Sequence, residues 1–150
     1  MFRPDILCTT DLSDAATSGI REGVQLAADL GGTATVLFVV DTGPVVQMAS
    51  NLLSESQHQE LLAHATRDAR AQLEALCEQE AVKGVEPSPV VVQGPQVADA
   101  ICEYAQQHGS HTIVTATHGR GGIAHMLLGS VAERVVRTAG CPVLVVRRPE

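Results

Sequence analysis

The sequence is poor in aromatic residues and in lysine. Among its 150 residues only Phe2, Phe38 and Tyr104 are aromatic, tryptophan is absent, and Lys83 is the single lysine. A surface that stacks the bases of single-stranded nucleic acid needs aromatic side chains, and a groove for a duplex needs many basic ones. With a formal net charge of −7, the sequence argues against nucleic acid as a partner.

Paired cysteines and long apolar segments are missing as well. Cys8, Cys77, Cys102 and Cys141 lie far apart in apolar neighbourhoods, without a C-x-x-C pair, so we expect them to pack as small hydrophobic residues. No apolar stretch approaches the ~20 residues that cross a bilayer, and the first residues lack the pattern of a signal peptide. We therefore expect a soluble, cytoplasmic protein without membrane insertion.

The sequence does contain a regular alternation of strand-like and helix-like segments. Apolar runs typical of buried strands alternate with amphipathic segments of helical period, and residues 42–53 are predicted to form a loop. The strands are predicted at residues 5–9, 34–40, 87–92, 112–116 and 143–146. The helices are predicted at 15–30, at 55–81, over about thirteen residues that end near residue 107, and at 130–138.

This alternation predicts the fold class. Strands separated by helices form a parallel sheet with helices on both faces, and right-handed crossovers make it doubly wound. We expect one domain over residues 1–150, because domains commonly hold about 100–150 residues. The predicted fold is a five-stranded, Rossmann-like α/β fold with strand order 3-2-1-4-5.

The region from residue 112 to residue 136 indicates the chemistry. An apolar run is followed by His118-Gly119, a glycine-rich cationic bend at Arg120, and then Gly129-Ser130 before a helical segment. Glycine lets the backbone approach an anion closely, and a helix N-terminus adds unpaired N–H donors. The order of strand, glycine turn and helix start therefore favours phosphate binding.

Two further strands are predicted to end next to this region, at the same end of the parallel sheet. Thr9 and Asp11 follow the first strand, and Val39 closes the second. Ligands of open α/β sheets bind outside the carboxyl ends of the strands. A carboxylate that accepts hydrogen bonds from ribose hydroxyls or a base amine, beside a turn that binds phosphate, suits a nucleoside phosphate.

Three stretches of the chain resemble the universal stress protein family over nearly the whole length: ILCTTDLSD, LFVVD, and IVTATHGRGG followed by LLGSVAERVVRTAGCPVLVV. Nucleotide-binding members carry Gly-x2-Gly-x9-Gly-Ser/Thr. Here Gly119, Gly129 and Ser130 match that motif, while Ala116 replaces its first glycine. Thr9 also departs from the family, because many members have proline there.

The resemblance implies an adenine-nucleotide-binding protein of stress response or regulation, with ATP, ADP or AMP as ligand and room for Mg²⁺ beside the phosphates. It implies a homodimer formed through the last strand, residues 143–146, whose apolar edge would otherwise be uncovered. The implied contacts are Thr9, Asp11 and Val39 for adenosine, Thr115 and Ala116 for the ribose side, and Gly119, Arg120, Gly129, Ser130 and Val131 for the phosphates.

Alternatives remain open for individual residues. Ser130 and Glu133 have the spacing of a capping box, Asp11 could simply begin the first helix, and Arg120 could be a solvated loop charge. His118 has no acidic or nucleophilic partner next to it in sequence and fits a turn residue better than a general base. No catalytic residue and no protein metal site are predicted.

Alternatives remain open for the whole protein too. One is a dimeric interaction module of the same fold that has lost nucleotide binding, with Ala116 as the first sign of that loss. The other is an enzyme such as a slow ATPase. The sequence contains no Walker lysine motif, so we expect at most slow ATP hydrolysis.

Overall fold

The computed structural model describes residues 1–44, 46, 52–117 and 128–147. In this part of the chain, five strands form one parallel sheet with the order β3-β2-β1-β4-β5. This confirms the predicted fold class and strand order. The strands are β1 (Asp5–Thr10), β2 (Thr33–Asp41), β3 (Ser88–Gly94), β4 (Thr112–Ala116) and β5 (Val143–Val146), and the helices are α1 (Asp14–Asp29), α2 (Glu55–Glu80), α3 (Val97–His108) and α4 (Ser130–Thr138).

The core lies on both faces of the sheet. Ile6 and Cys8 of β1 point to the face that α1 and α2 cover, while Leu7 between them points to the face of α3 and α4. Such an alternation follows from the two-residue period of a strand, and all three side chains are fully buried. With few aromatic side chains available, branched aliphatic residues fill both layers.

Helix α1 packs unusually closely on the sheet because it carries two glycines on its buried side. A Cβ atom at Gly23 would collide with Sγ of Cys8, and a Cβ atom at Gly19 would lie 3.3 Å from the backbone nitrogen of Ala116. The absence of both side chains lets the helix axis approach β1 and β4. Residues at the start of α1 therefore lie against the carboxyl end of β4.

At the amino edge of the sheet, the end at which its parallel strands begin, hydrogen bonds to one carboxylate join three strands. Oδ1 of Asp5 accepts hydrogen bonds from the hydroxyls of Thr33 and Thr35, each at 3.1 Å, and Oδ2 accepts one from Ser110 at 3.2 Å. The three donors lie at the start of β2 and before β4. Asp5 thus ties the beginnings of three neighbouring strands together.

The prediction of a loop over residues 42–53 is wrong in part. Gly43, Pro44, Val46 and Leu52 have helical backbone, and the N–H of Val46 donates to the carbonyl of Thr42 at 2.9 Å. Proline is tolerated in the first turn of a helix, where its missing N–H would have no partner. Pro44 therefore permits a helical turn where it suggested a loop.

None of the helices in the described ranges is both long enough and apolar enough to cross a membrane.

Candidate functional site

Two threonines join the carboxyl ends of β1 and β4. The hydroxyl of Thr9 donates to the hydroxyl of Thr115 at 3.1 Å, and both side chains are buried. Neighbouring parallel strands end at the same edge of the sheet, so these two residues lie side by side although 106 positions separate them in sequence. The structure thus brings together two of the residues that were assigned to the nucleotide from the sequence.

Asp11 lies just beyond Thr9 and shapes the turn into α1. Its Oδ1 accepts hydrogen bonds from the backbone N–H of Ser13 at 3.0 Å and from the Ser13 hydroxyl. The helix begins at Asp14 with Ser13 as its N-cap, so Asp11 precedes the helix rather than beginning it. Between them, Leu12 has a φ of 65°, a left-handed conformation that is strained for a branched side chain.

The start of α4 is bonded to the end of β4. The N–H of Gly129 donates to the carbonyl of Thr117 at 2.6 Å, and the N–H of Thr117 donates to the carbonyl of Val146 at 2.9 Å. Thr117 is buried and was not singled out from the sequence. It places the N-terminus of α4 beside the carboxyl ends of β4 and β5.

The capping-box interpretation of Ser130 is wrong. Gly129 is the N-cap of α4, with φ −68° and ψ 162°, and Ser130 is the first helical residue. Within the described ranges the Ser130 hydroxyl makes no hydrogen bond that would cap the helix. The spacing from Ser130 to Glu133 therefore fits the first helical turn, and Glu133 instead forms an ion pair with Arg137. The first backbone N–H groups of a helix lack intrahelical acceptors, so those of Ser130 and Val131 can serve a ligand.

Of the other predicted residues, two lie in described strands and two lie outside the described residues. Val39 is buried in the core on the face of α3 and α4, so its side chain packs inside the protein. Ala116 ends β4 and is half-buried. Gly119 and Arg120, together with His118, lie outside the described residues.

A cleft of about 500 Å³ opens at this edge on the side of α3 and α4. It contains the N-termini of both helices, and of the residues predicted from sequence it includes Ser130 and Val131. The lining residues are Asp41, Gly43, Pro44, Pro95, Gln96, Val97, Ala98, Ser130, Val131 and Arg134.

Arg134 is the residue of this cleft that sequence reasoning missed most clearly. Its Nε donates to Oδ1 of Asp99 at 2.9 Å and its Nη2 donates to Oδ2 at 3.0 Å, which joins α4 to the first turn of α3. A pair separated by 35 residues leaves no local signal in one sequence.

Three of the four thiols have raised pKa values. Burial, with a smaller effect of Asp5, raises the pKa of Cys8 to about 12, and burial raises the pKa of Cys77 to about 11. Burial also raises the pKa of Cys141. Nucleophilic cysteines instead have lowered pKa values, so these three thiols are protonated packing residues near neutral pH.

Metal ligands are sparse as well. Across the described ranges, no group of three or more His, Cys, Asp or Glu side chains is arranged to hold a metal ion. The carboxyl edge of the sheet thus carries backbone donors, two threonine hydroxyls and the Asp11 carboxylate, and beside α4 it carries a cleft whose lining includes neither Asp11 nor the two threonines. Backbone donors, hydroxyls and a carboxylate are groups that can bind a polar ligand.

Comparison with known proteins agrees with this architecture. The model of the universal stress protein family matches residues 3–147. Universal stress protein MJ0531 of Methanocaldococcus jannaschii is 32% identical over 149 residues, which cover 97% of this chain and 82% of the relative.

Solved structures share the fold. The structure of MJ0577 of Methanocaldococcus jannaschii has a TM-score of 0.84 at 25% identity and covers 100% of this chain and 99% of its own. A universal stress protein solved in complex with cAMP has a TM-score of 0.66 at 20% identity, with 95% and 96% coverage. One from Archaeoglobus fulgidus in complex with dAMP has a TM-score of 0.62 at 18% identity, with 96% and 97% coverage. With a family model that spans almost the whole sequence, and relatives and structures that agree along its length, the chain belongs to the universal stress protein family.

Proposed function

We propose that this protein binds an adenine nucleotide at the carboxyl edge of its sheet and acts in stress response or regulation through occupancy of that site. The observation that carries the proposal is the hydrogen bond from Gly129 to Thr117, which brings the N-terminus of α4 to the carboxyl end of β4, the strand that pairs with β1. Phosphate would bind the free N–H groups of α4, and Asp11 would accept hydrogen bonds from the ribose or base. Two family structures hold cAMP and dAMP, which supports adenine as the base.

The first test is calorimetry with ATP, ADP and AMP. At least one of them should bind with a Kd in the micromolar range and raise the melting temperature, because a ligand that binds only the folded state stabilises it. If no nucleotide raises the melting temperature even at millimolar concentration, the protein acts instead as an interaction module of the same fold.

Gly129→Val tests the phosphate end of the site. The backbone of Gly129 has φ −68° and ψ 162°, a conformation open to valine, so the variant should fold with an unchanged circular dichroism spectrum. Its branched side chain would occupy the space beside the first N–H groups of α4 and should abolish nucleotide binding. Wild-type affinity in a folded variant would place the phosphate elsewhere.

The same reasoning predicts weak catalysis. Rapid phosphoryl transfer requires positioned metal ions and cationic stabilisation of the transferring group, and the site offers mainly backbone donors. We expect ATP hydrolysis to be weak or undetectable in a phosphate-release assay. A turnover of several per second that is lost in Ser130→Ala would favour the alternative of an ATPase.

We infer further that two copies pair through β5. In the described part of the chain β5 lies at a sheet edge and pairs with β4, and Leu144 is 41% exposed. Ile113 donates to Pro142 and Thr117 donates to Val146, so Val143 and Val145 direct their backbone groups to the free side. A second β5 related by a two-fold axis would bond to them.

Light scattering tests the dimer. The unmodified chain should give about twice its mass of 15.7 kDa at tens of micromolar. Val145→Pro removes a donor from the free side of β5 without removing a bond to β4, and should shift the protein toward monomer. Val145→Thr is the matched control, since it keeps the N–H and should remain dimeric. A monomeric wild type would overturn the inference.

A further inference from the structure

We propose that Arg134 selects nucleotides with more than one phosphate over monophosphates. This inference rests on the proposed nucleotide site and deepens it by naming the class of ligand. Arg134 lines the cleft next to the predicted phosphate contacts Ser130 and Val131. It follows Ser130 by four residues of α4, so the two residues are about one helical turn, or ~6 Å, apart along the axis.

The hydrogen bonds of Arg134 leave donors for a ligand. A guanidinium has five N–H groups. Asp99 receives one from Nε and one from Nη2, so three remain. The bidentate pair also fixes the plane of the guanidinium, which lowers the entropy lost when it binds an anion. Asp99 thus orients Arg134 and leaves it able to donate to phosphate.

The charges around the cleft make Arg134 decisive for a polyphosphate. Among the lining residues Arg134 is the cationic side chain and Asp41 the anionic one, and Asp99 adds a second carboxylate behind Arg134. Oδ1 of Asp41 accepts a hydrogen bond from the N–H of Gly43 at 2.9 Å, which fixes that carboxylate at the cleft. Without Arg134, a polyphosphate in the cleft would meet two carboxylates and no cationic side chain among the lining residues that the structure describes, and the repulsion would grow with each phosphate.

A monophosphate depends much less on this residue. Its single phosphate can bind the first N–H groups of α4 at Ser130 and Val131, one turn before Arg134. The β- and γ-phosphates of ADP and ATP extend beyond that point. The affinity ratio of ATP to AMP is therefore the quantity that Arg134 should control.

The experiment measures the affinities of AMP, ADP, ATP and inorganic tripolyphosphate by calorimetry in metal-free buffer. Arg134→Gln should weaken ATP and tripolyphosphate about tenfold, the size expected for a charge-assisted hydrogen bond, and change AMP less than about twofold. Arg137→Gln is the matched control. It removes the same charge one turn later in α4, where Arg137 pairs with Glu133, and should leave all four affinities within about twofold.

A second variant separates ligand contact from a structural role of the ion pair. Asp99→Asn removes a negative charge but keeps the arginine and an acceptor oxygen that can orient it, so ATP affinity should stay the same or rise. If the pair merely joined α3 to α4, Arg134→Gln and Asp99→Asn would lower ATP affinity and melting temperature alike. That result would overturn the inference, as would an Arg134→Gln protein that binds ATP like the wild type.

The probes also distinguish the two proposals. If AMP and ATP bind and Arg134→Gln changes neither, the nucleotide site stands and the role of Arg134 fails. If tripolyphosphate binds through Arg134 and no adenine nucleotide binds better than it does, the polyphosphate site stands and the adenine proposal fails. A wild-type protein that binds none of the four probes overturns both.

Discussion

The two edges of the sheet use similar polar residues in opposite ways. At the amino edge, three hydroxyls donate to the two oxygens of Asp5, so these polar groups bind one another. At the carboxyl edge, Asp11 stands in a turn with a strained Leu12, and the first N–H groups of α4 lack helical acceptors. The amino edge is satisfied by side chains of neighbouring strands, whereas the carboxyl edge leaves the first N–H groups of α4 without helical acceptors. From this difference we expect the residues around Asp5 to stabilise the fold and those around the start of α4 to serve the proposed ligand.

The largest expected effect is at the amino edge. Asp5→Ala leaves three hydroxyls without their acceptor and should lower the free energy of unfolding by about 2–3 kcal/mol, measured by urea denaturation, while nucleotide affinity stays unchanged. Asp29→Ala is the control, since it removes a carboxylate that accepts only an exposed bond from Gln25 and should cost less than about 0.5 kcal/mol. Equal losses of stability in the two variants would contradict the assigned role of Asp5.

At the carboxyl edge we expect the opposite result, a large effect on nucleotide affinity and a small one on stability. Asp11→Ala should weaken nucleotide binding about tenfold, because a charged acceptor is lost, and should lower stability by only about 1 kcal/mol through the bonds to Ser13. Asp11→Asn keeps an acceptor for Ser13 and should retain the stability while still weakening the nucleotide. Calorimetry and thermal melting separate the two effects. Unchanged affinity in both variants would remove Asp11 from the site.

The smallest expected effect is a loss of stability at high pH, which comes from two buried thiols in the core near Asp5. Cys8 and Cys77 have pKa values raised from 9.0 to about 12 and about 11 by burial, with Asp5 adding to the shift of Cys8. The folded state therefore retains protons that the unfolded state releases, so stability is complete below pH 9 and falls as pH rises toward 11 and 12. At pH 9 the loss should be under about 1 kcal/mol.

Urea denaturation at pH 8, 9 and 10 measures this loss. Cys8→Ala should flatten the decline, because one buried thiol no longer titrates on unfolding. A wild-type protein whose stability is constant from pH 8 to pH 10 would show that neither thiol is protected by the fold.

Sequence periodicity predicted the fold well because the pattern is strong. The predicted and observed bounds of β4, α4 and β5 agree, and α2 ends one residue earlier than expected. The error at the start of α4 arose because the same short motif is compatible with two different positions of the helix N-cap. Serine followed by glutamate three residues later fits a capping box, but Gly129 takes the N-cap because its N–H bonds to Thr117. Such a bond depends on the approach of distant segments, which local sequence does not encode.

The site was predicted less completely for the same reason. The pairing of Thr9 with Thr115 follows from the strand order, and the sequence did place both at one edge. The cleft beside α3 depends on how α3 and α4 pack together, and the pair of Arg134 with Asp99 is a result of that packing. Helix-to-helix contacts of this kind leave no periodic pattern to detect.

Thr117 connects the proposed nucleotide site to the proposed dimer strand. Through its two backbone groups it bonds to Gly129 at the proposed nucleotide site and to Val146 at the end of the proposed dimer strand. The two proposed equilibria therefore share the backbone of one residue, and thermodynamic reciprocity would govern them: whatever factor the nucleotide applies to the dimer dissociation constant, dimerisation must apply to the nucleotide affinity. A protein in which the two equilibria are coupled in this way would change its oligomeric state with ligand concentration, without any chemical reaction.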